Sequence, residues 1–231
     1  MAPAQITKQQ NTRLRYYFER GIRCSKNDMD ATDLDLSGLK LIEITVGTYS
    51  NQIKVTPSGI EAIHQYRQKT IATRNIHNNL GARLSEYLRK QGRITWENIE
   101  FKNRLTNPET GYEQFQCVRP DVFSILPSLQ LKYANPCIHE VKVSRADFLG
   151  DIGRPEKREA YYEMSEAVYY TVPEGMVSPE EIPTGFGLMI ETKNGTFKLV
   201  KKVRKRKVEL KPHHYLNLII KPGEYPADYG L

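Results

Sequence analysis

Cysteine is scarce in this chain. Its 231 residues hold three, Cys24, Cys117 and Cys137, odd in number and too widely spaced for a zinc site or a disulfide framework. Reduced thiols and a cytoplasmic location are therefore expected. No apolar run approaches the roughly 20 residues that a membrane helix requires, so no membrane partner is expected. The amino-terminal MAPAQITKQQ lacks the apolar stretch of a secretion signal, and without secretion the sequon at Asn194 carries no meaning. The acidic stretch NDMDATDLDLSG, residues 27–38, lacks what a calcium loop needs. Counted from Asp28, its sixth and twelfth positions are Asp33 and Leu39, where Gly and Glu are required. It reads instead as a solvated, capped turn.

What is present suffices for a packed protein. Apolar residues make up 39% of the chain, and the length suits one large domain or two modest ones. Thirty-four Lys and Arg against 27 Asp and Glu leave a net charge of +7, a balance that suits a polyanionic partner without identifying one.

Leu14, Tyr17, Phe18 and Ile22 recur at helical spacing and predict a first amphipathic helix with one buried stripe. Leu39, Ile42, Thr45, Ile53 and Val55 suggest short strands around a Gly/Ser/Asn turn. Thr56 then looks like a helix cap and Pro57 like the first helical residue. Helices, a short hairpin and a closing helix resemble a winged helix-turn-helix module over residues 1–72. The polar run at 67–75 reads as a linker or as a continuation of the closing helix, with the boundary placed near Ala72. A second domain, 73–231, opens with Ile76, Leu80, Leu84 and Leu88 at four-residue intervals and Gly92 as the stop. The strand ITWENIEF follows, then two more strands, a helix from Pro155, the strand AVYYTVP, and a hairpin turning on Asn194 and Gly195.

The stretch RPDVFSILPSLQLKYANPCIHEVKVS, residues 119–144, holds the chemistry. Side chains alternate along a strand, so Glu140 and Lys142 share one face while His139, Val141 and Val143 take the other. The 18 residues between Asp121 and Glu140 allow a strand, a turn and a return strand that brings the two acids together. Paired carboxylates on rigid strands supply hard oxygen ligands for magnesium, and a lysine beside them could act on a water or on transition-state charge. A cross-strand salt bridge on a half-exposed sheet is the plain alternative.

Pro120, Asp121, Glu140 and Lys142 in this strand order resemble the motif of the PD-(D/E)XK nuclease superfamily. EVKVSRADFLGD, Lys157 four residues before Tyr161, AVYYTVPEGM and GFGLMI are similar to the MmcB-like DNA repair proteins, over roughly 119–190. The resemblance implies an α/β, restriction-endonuclease-like mixed sheet flanked by helices, preceded here by the small winged-helix domain. It implies Asp121, Glu140 and the Val141 carbonyl as ligands of Mg2+ or Mn2+, and Lys142 as the catalytic lysine. DNA is then the partner, with a homodimer or protein contact through the winged-helix domain as a further expectation. The expected activity is metal-dependent DNA cleavage in repair or processing. Its alternatives are restriction of foreign DNA and a non-catalytic binding factor that keeps the fold.

Glu86 is a candidate additional acid, although Lys90 at four-residue spacing makes a surface ion pair. Ser144 and Asp147 match a capping box. Lys157 and Tyr161, one helical turn apart, could meet phosphate and base from one face. KLVKKVRKRKVELK, with eight basic residues and one acid, includes Lys201, Lys202, Arg204 and Lys205 as candidate backbone contacts. An edge strand guarded by lysines is the rival reading. His213 and His214 lack partner ligands and read as surface histidines.

Overall fold

A computed structural model describes residues 5–21, 23–24, 29–106, 113–153 and 155–226, side chains at 23–24, 103–106, 113–116 and 155–156 excepted. The chain divides into two units, Met1–Asn75 and Ile76–Leu231, each with its own core.

In the first unit, α1 (Lys8–Arg20) opens on a reciprocal cap. The Thr7 hydroxyl accepts from the Gln10 amide, and the Gln10 side chain accepts from the Thr7 amide, so two orphan donors are satisfied at once. Leu14 and Tyr17 are buried, but Phe18, expected on the same stripe, is 55% exposed. The stripe centres between Leu14 and Tyr17, and Phe18 falls off its edge. Ile22 lies outside the described residues. The strand β1 (Arg23–Cys24) precedes a helix, α2 (Ala31–Gly38), where a solvated turn was expected. Asp30 caps α2 by accepting from the Thr32 and Asp33 amides. Asp33 is fully buried and is held by Tyr17 Oη at 2.6 Å and Arg13 Nη1 at 2.9 Å, partners without which a buried carboxylate would be costly.

The strands β2 (Ile42–Thr45) and β3 (Asn51–Val55) complete a three-stranded sheet in the order β1-β3-β2. Leu39 is the C-cap of α2 and belongs to neither strand. Thr56 caps α3 (Pro57–Lys90), its hydroxyl accepting from the Gly59 amide at 3.0 Å. Gly59 is needed there, because a Cβ would stand 2.1 Å from the Leu41 carbonyl oxygen. The polar run at 67–75 is an exposed part of α3. The division between the units therefore falls within one helix, the continuation that the sequence allows as the alternative to a linker.

The later turns of α3 bury Leu80, Leu84 and Leu88, while Ile76 is 58% exposed. Gly92, at φ 78°, follows the end of the helix, as the left-handed region favours. ITWENIEF is not one strand. Asn98, at φ 50°, separates β4 (Ile94–Glu97) from β5 (Phe101–Thr106), and β5 pairs with β6 (Glu113–Val118) as a ribbon of its own. β7 (Val122–Ile125), β8 (Cys137–Val141), α4 (Arg145–Ile152), α5 (Pro155–Met164), β9 (Ala167–Pro173), β10 (Gly187–Glu191), β11 (Phe197–Lys201) and α6 (Pro212–Ile220) follow in order.

The main sheet is six-stranded and mixed, in the order β11-β10-β9-β8-β7-β4. β8, β9 and β10 run parallel, and β7, β4 and β11 are antiparallel to their neighbours. Both faces are covered, as parallel strands require. Leu80, Leu84 and Leu88 of α3 pack with Val122, Val141 and Met189. Ile138, Val168 and Tyr170 pack with Phe148 of α4 and Tyr161 and Met164 of α5. The protein is thus mixed α/β, its sheet flanked by helices.

His214 is buried, correcting the surface reading of that residue. It follows Pro212 in the first turn of α6, accepts from the Lys211 amide at 3.2 Å and packs edge-on against Phe101. Burial, with the nearby His213 and Lys211 charges, pushes its imidazole down to about 4. A histidine kept neutral by the fold stabilises fully above its unfolded value near 6.5, and that stability is lost as pH falls toward the folded value. Between pH 7.5 and 5.5 the stability advantage of the wild type over His214→Gln should shrink by about 1 kcal/mol after allowance for partial screening. Urea unfolding at the two pH values checks this, and a constant difference would refute it.

Candidate functional site

The antiparallel register of β7 and β8 pairs Val122 with His139. One step further sets Asp121, just before β7, opposite Glu140. Asp121 Oδ2 accepts from the Val141 amide, next to Glu140, at 2.8 Å, and the Asp121 charge acts on Glu140. Two sequence-distant acids therefore meet at one end of two paired strands.

The alternation expected for β8 holds, but its consequence differs. Neither face is exposed, and every residue of β8 is buried. His139 and Val141 face the α3 side, where His139 stacks on Tyr169. Burial, with the Arg93 charge, pushes its imidazole down to about 3. Glu140 and Lys142, 1% and 5% exposed, lie on the face covered by α4 and α5. This is not a salt bridge on a half-exposed sheet.

Glu140 is saturated with donors. Its Oε1 accepts from Tyr161 Oη at 2.6 Å, and its Oε2 accepts from Lys157 Nζ at 2.6 Å and Lys142 Nζ at 3.2 Å. Lys157 also reaches Asp151 Oδ1 at 2.8 Å, Lys142 lies 3.5 Å from the same oxygen, and Tyr170 Oη donates to Asp151 Oδ2 at 3.0 Å. Burial first, then the Asp121 charge, raises the Glu140 carboxyl above its usual range against the pull of both lysines. Burial alone would lower Lys142, but Glu140 and Asp151 more than reverse this and hold it firmly protonated. Burial and the Glu140 charge likewise push the Tyr161 phenol far up, so it stays a donor.

Lys157 and Tyr161, expected to meet phosphate and base, instead turn inward onto Glu140. One helical turn of α5 separates them, which lets both reach the same carboxylate. Asp151 was not singled out from the sequence. Its place near the end of α4, six residues before Lys157 on the next helix, and its burial between two lysines and Tyr170 follow from how α4 and α5 dock on the sheet.

His77 was also missed. Its Nε2 lies 3.0 Å from the Val141 carbonyl oxygen and 3.3 Å from Asp121 Oδ2. Both neighbours are acceptors, so Nε2 carries a hydrogen. The bond to Asp121 raises its pKa above the ordinary value against partial burial. The one available signal was its position in the sequence, three residues before Leu80 on the helix that covers this end of the sheet.

Two oxygens implied as metal ligands, from Asp121 and Val141, thus converge on a single donor atom. The third, from Glu140, is held by lysines. Among the described residues no three His, Cys, Asp or Glu side chains are gathered into a ready cage. The donor set is nevertheless the hard carboxylate and carbonyl oxygen that magnesium and manganese take, and cationic or donor groups already stand against it.

Glu86 pairs with Lys90 at 2.7 Å on the exposed side of α3, separate from these contacts. Ser144 caps α4, accepting from the Asp147 amide. Within the basic set, the Lys201 ammonium donates to the Pro179 and Ile182 carbonyls at 3.1 and 2.7 Å. Lys202, Arg204 and Lys205 are exposed and follow the edge strand β11. Comparison of the chain with protein-family models, curated proteins and solved structures finds no match.

The Tyr161 hydroxyl bonds a buried charge, a contact worth roughly 1.5–3 kcal/mol. Tyr161→Phe should lose that much stability at pH 7 in chemical denaturation. A loss below about 0.5 kcal/mol would show that Glu140 does not depend on it.

Proposed function

We propose that the second unit is a metal-dependent deoxyribonuclease of the restriction-endonuclease-like type, and that the first unit serves it as a winged-helix-like module in DNA repair or processing. The observation that carries this reading is the meeting of Asp121, Glu140 and the Val141 carbonyl at the ends of two paired strands, with Lys142 buried beside them. The first unit supports its part with two short helices, a hairpin and a three-stranded sheet ahead of α3.

In this reading Asp121, Glu140 and the Val141 carbonyl would hold the cation, with His77 hydrogen-bonded beside them. The cation would supply Lewis acidity at the phosphodiester and a more acidic bound water. The chain's own part is orientation. The Val141 amide and His77 fix Asp121, Tyr161 fixes one oxygen of Glu140, and Lys142 keeps a positive charge beside the reacting phosphate.

Asp121→Asn and Glu140→Gln preserve shape and remove an anionic ligand. Each should lower Mn2+- or Mg2+-dependent cleavage of plasmid and single-stranded DNA by about a hundredfold or more, while circular dichroism stays that of the wild type. Cleavage by either purified variant at the wild-type rate would sink the assignment. The complete engagement of Glu140 by its own chain's donors favours one second reading, a DNA-binding factor that keeps the fold without the chemistry. Binding without cleavage in every metal would establish it.

The exposed Lys202, Arg204 and Lys205 carry the phosphate contact in either reading. Replacing all three with Gln should weaken DNA binding regardless of sequence and flatten the plot of log affinity against log salt by roughly one unit per contact. If these residues only guard the β11 edge, the slope should hold and aggregation should rise. Fluorescence anisotropy across a salt series separates the two.

A further inference from the structure

Lys157 bridges a carboxylate that would bind metal and one that would not. Its ammonium lies 2.6 Å from Glu140 Oε2 and 2.8 Å from Asp151 Oδ1, and its side chain is 27% exposed against 7% for Lys142. Of the two lysines on Glu140, Lys157 is therefore the one with room to move. Asp151 is anchored independently by the Tyr170 hydroxyl, so it stays in place as a resting point. Tyr161 holds Glu140 by the other oxygen, Oε1, while Oε2 is shared by Lys157 at 2.6 Å and the more distant Lys142 at 3.2 Å.

We propose that Lys157 is a built-in competing cation: it occupies Glu140 Oε2 when no metal is bound, and a divalent cation gains that oxygen only as the ammonium withdraws onto Asp151. The inference rests on the reading of Asp121 and Glu140 as a metal site. Charge supports it. Asp121, Glu140 and Asp151 bring three negative charges, and Lys142 and Lys157 return two. A divalent ion added to a cluster so nearly neutral is opposed by each ammonium that stays close. Lys157 is in this account a positioning residue, holding the empty site closed and protecting Glu140 from standing as an uncompensated buried charge.

The test is Mn2+ binding to the full chain without DNA at pH 8, by calorimetry and by the electron paramagnetic resonance signal of free Mn2+. Lys157→Met should bind Mn2+ about tenfold more tightly than wild type. Lys157→Arg, which keeps the charge, should remain within about twofold of wild type. A Lys157→Met protein that folds and binds Mn2+ with unchanged or weaker affinity overturns the proposal. Should that variant not fold, a Mg2+ titration of wild type followed by the 15Nζ resonances of lysine gives the same information. The Lys157 resonance should move as Mg2+ saturates, and a stationary resonance with Mg2+ bound overturns the proposal. Wild type that binds Mn2+ while Lys157→Met binds no tighter removes this inference alone. If neither protein binds Mn2+, the metal reading falls and takes this one with it.

Discussion

A carboxylate buried in the middle of a sheet face is the constraint from which the second unit's polar architecture follows. Glu140 sits on β8, covered by α5, in surroundings where an isolated charge would cost several kcal/mol. Two unit charges 4 Å apart attract by about 4 kcal/mol at the effective dielectric of a protein interior. One lysine therefore offsets much of that cost, and a second with a phenol offsets the rest. Lys142 just after the same strand, and Lys157 and Tyr161 from α5, supply these groups at 3.2, 2.6 and 2.6 Å. Asp151 then balances the lysines, and Tyr170 of the parallel neighbour β9 holds Asp151. Each member is needed because another is there.

The sheet topology explains why these groups can meet. β8 and β9 run parallel with Glu140 opposite Tyr170, and α4 and α5 form the crossover between them, laid on the face that Glu140 shares. A crossover helix on that face delivers Asp151, Lys157 and Tyr161 to one carboxylate without any long loop. The antiparallel return of β7 brings Asp121 to the other side of the strand end. Parallel pairing on one side of β8 and antiparallel pairing on the other is what places acids from three elements beside one lysine.

The strands at Asp121 and Glu140 were legible because alternation and turn residues are local signals, and so was the cap at Thr56. The turn after α3, at Gly92, was legible for the same reason. What escaped was set by tertiary contact. Asp33 looked solvated in a stretch of four acids, yet Arg13 and Tyr17 of α1 reach it across 16 to 20 residues. Asn98 divides ITWENIEF by adopting a left-handed conformation that asparagine tolerates, and nothing in the apolar pattern announces it. The run at 67–75 reads as linker or helix because it mixes good helix formers (Arg, Gln, Lys, Ala) with weak ones (Thr, Asn), and composition cannot distinguish an exposed helix from a coil. For the candidate site, Asp121, Glu140 and Lys142 could be named from spacing. Their neighbours could not, because His77, Asp151 and the inward turn of Lys157 depend on which helix covers which face.

That last group bears most on what the protein can do. A site built only to bind metal would leave its carboxylates open, and a site built only for stability would replace the buried charges with apolar residues at little cost or with a gain. The cluster here does neither. It keeps three acids at the end of the sheet and covers them with groups that differ in how firmly they are held. Lys142 is buried just past the strand end, Tyr161 is packed in the core, and His77 and Lys157 are the more exposed members. His77 stands against Asp121 and Val141, and Glu140 is shared by Lys142, Lys157 and Tyr161. In the proposed reading, the more exposed of these donors, His77 and Lys157, are the ones a cation would displace most readily.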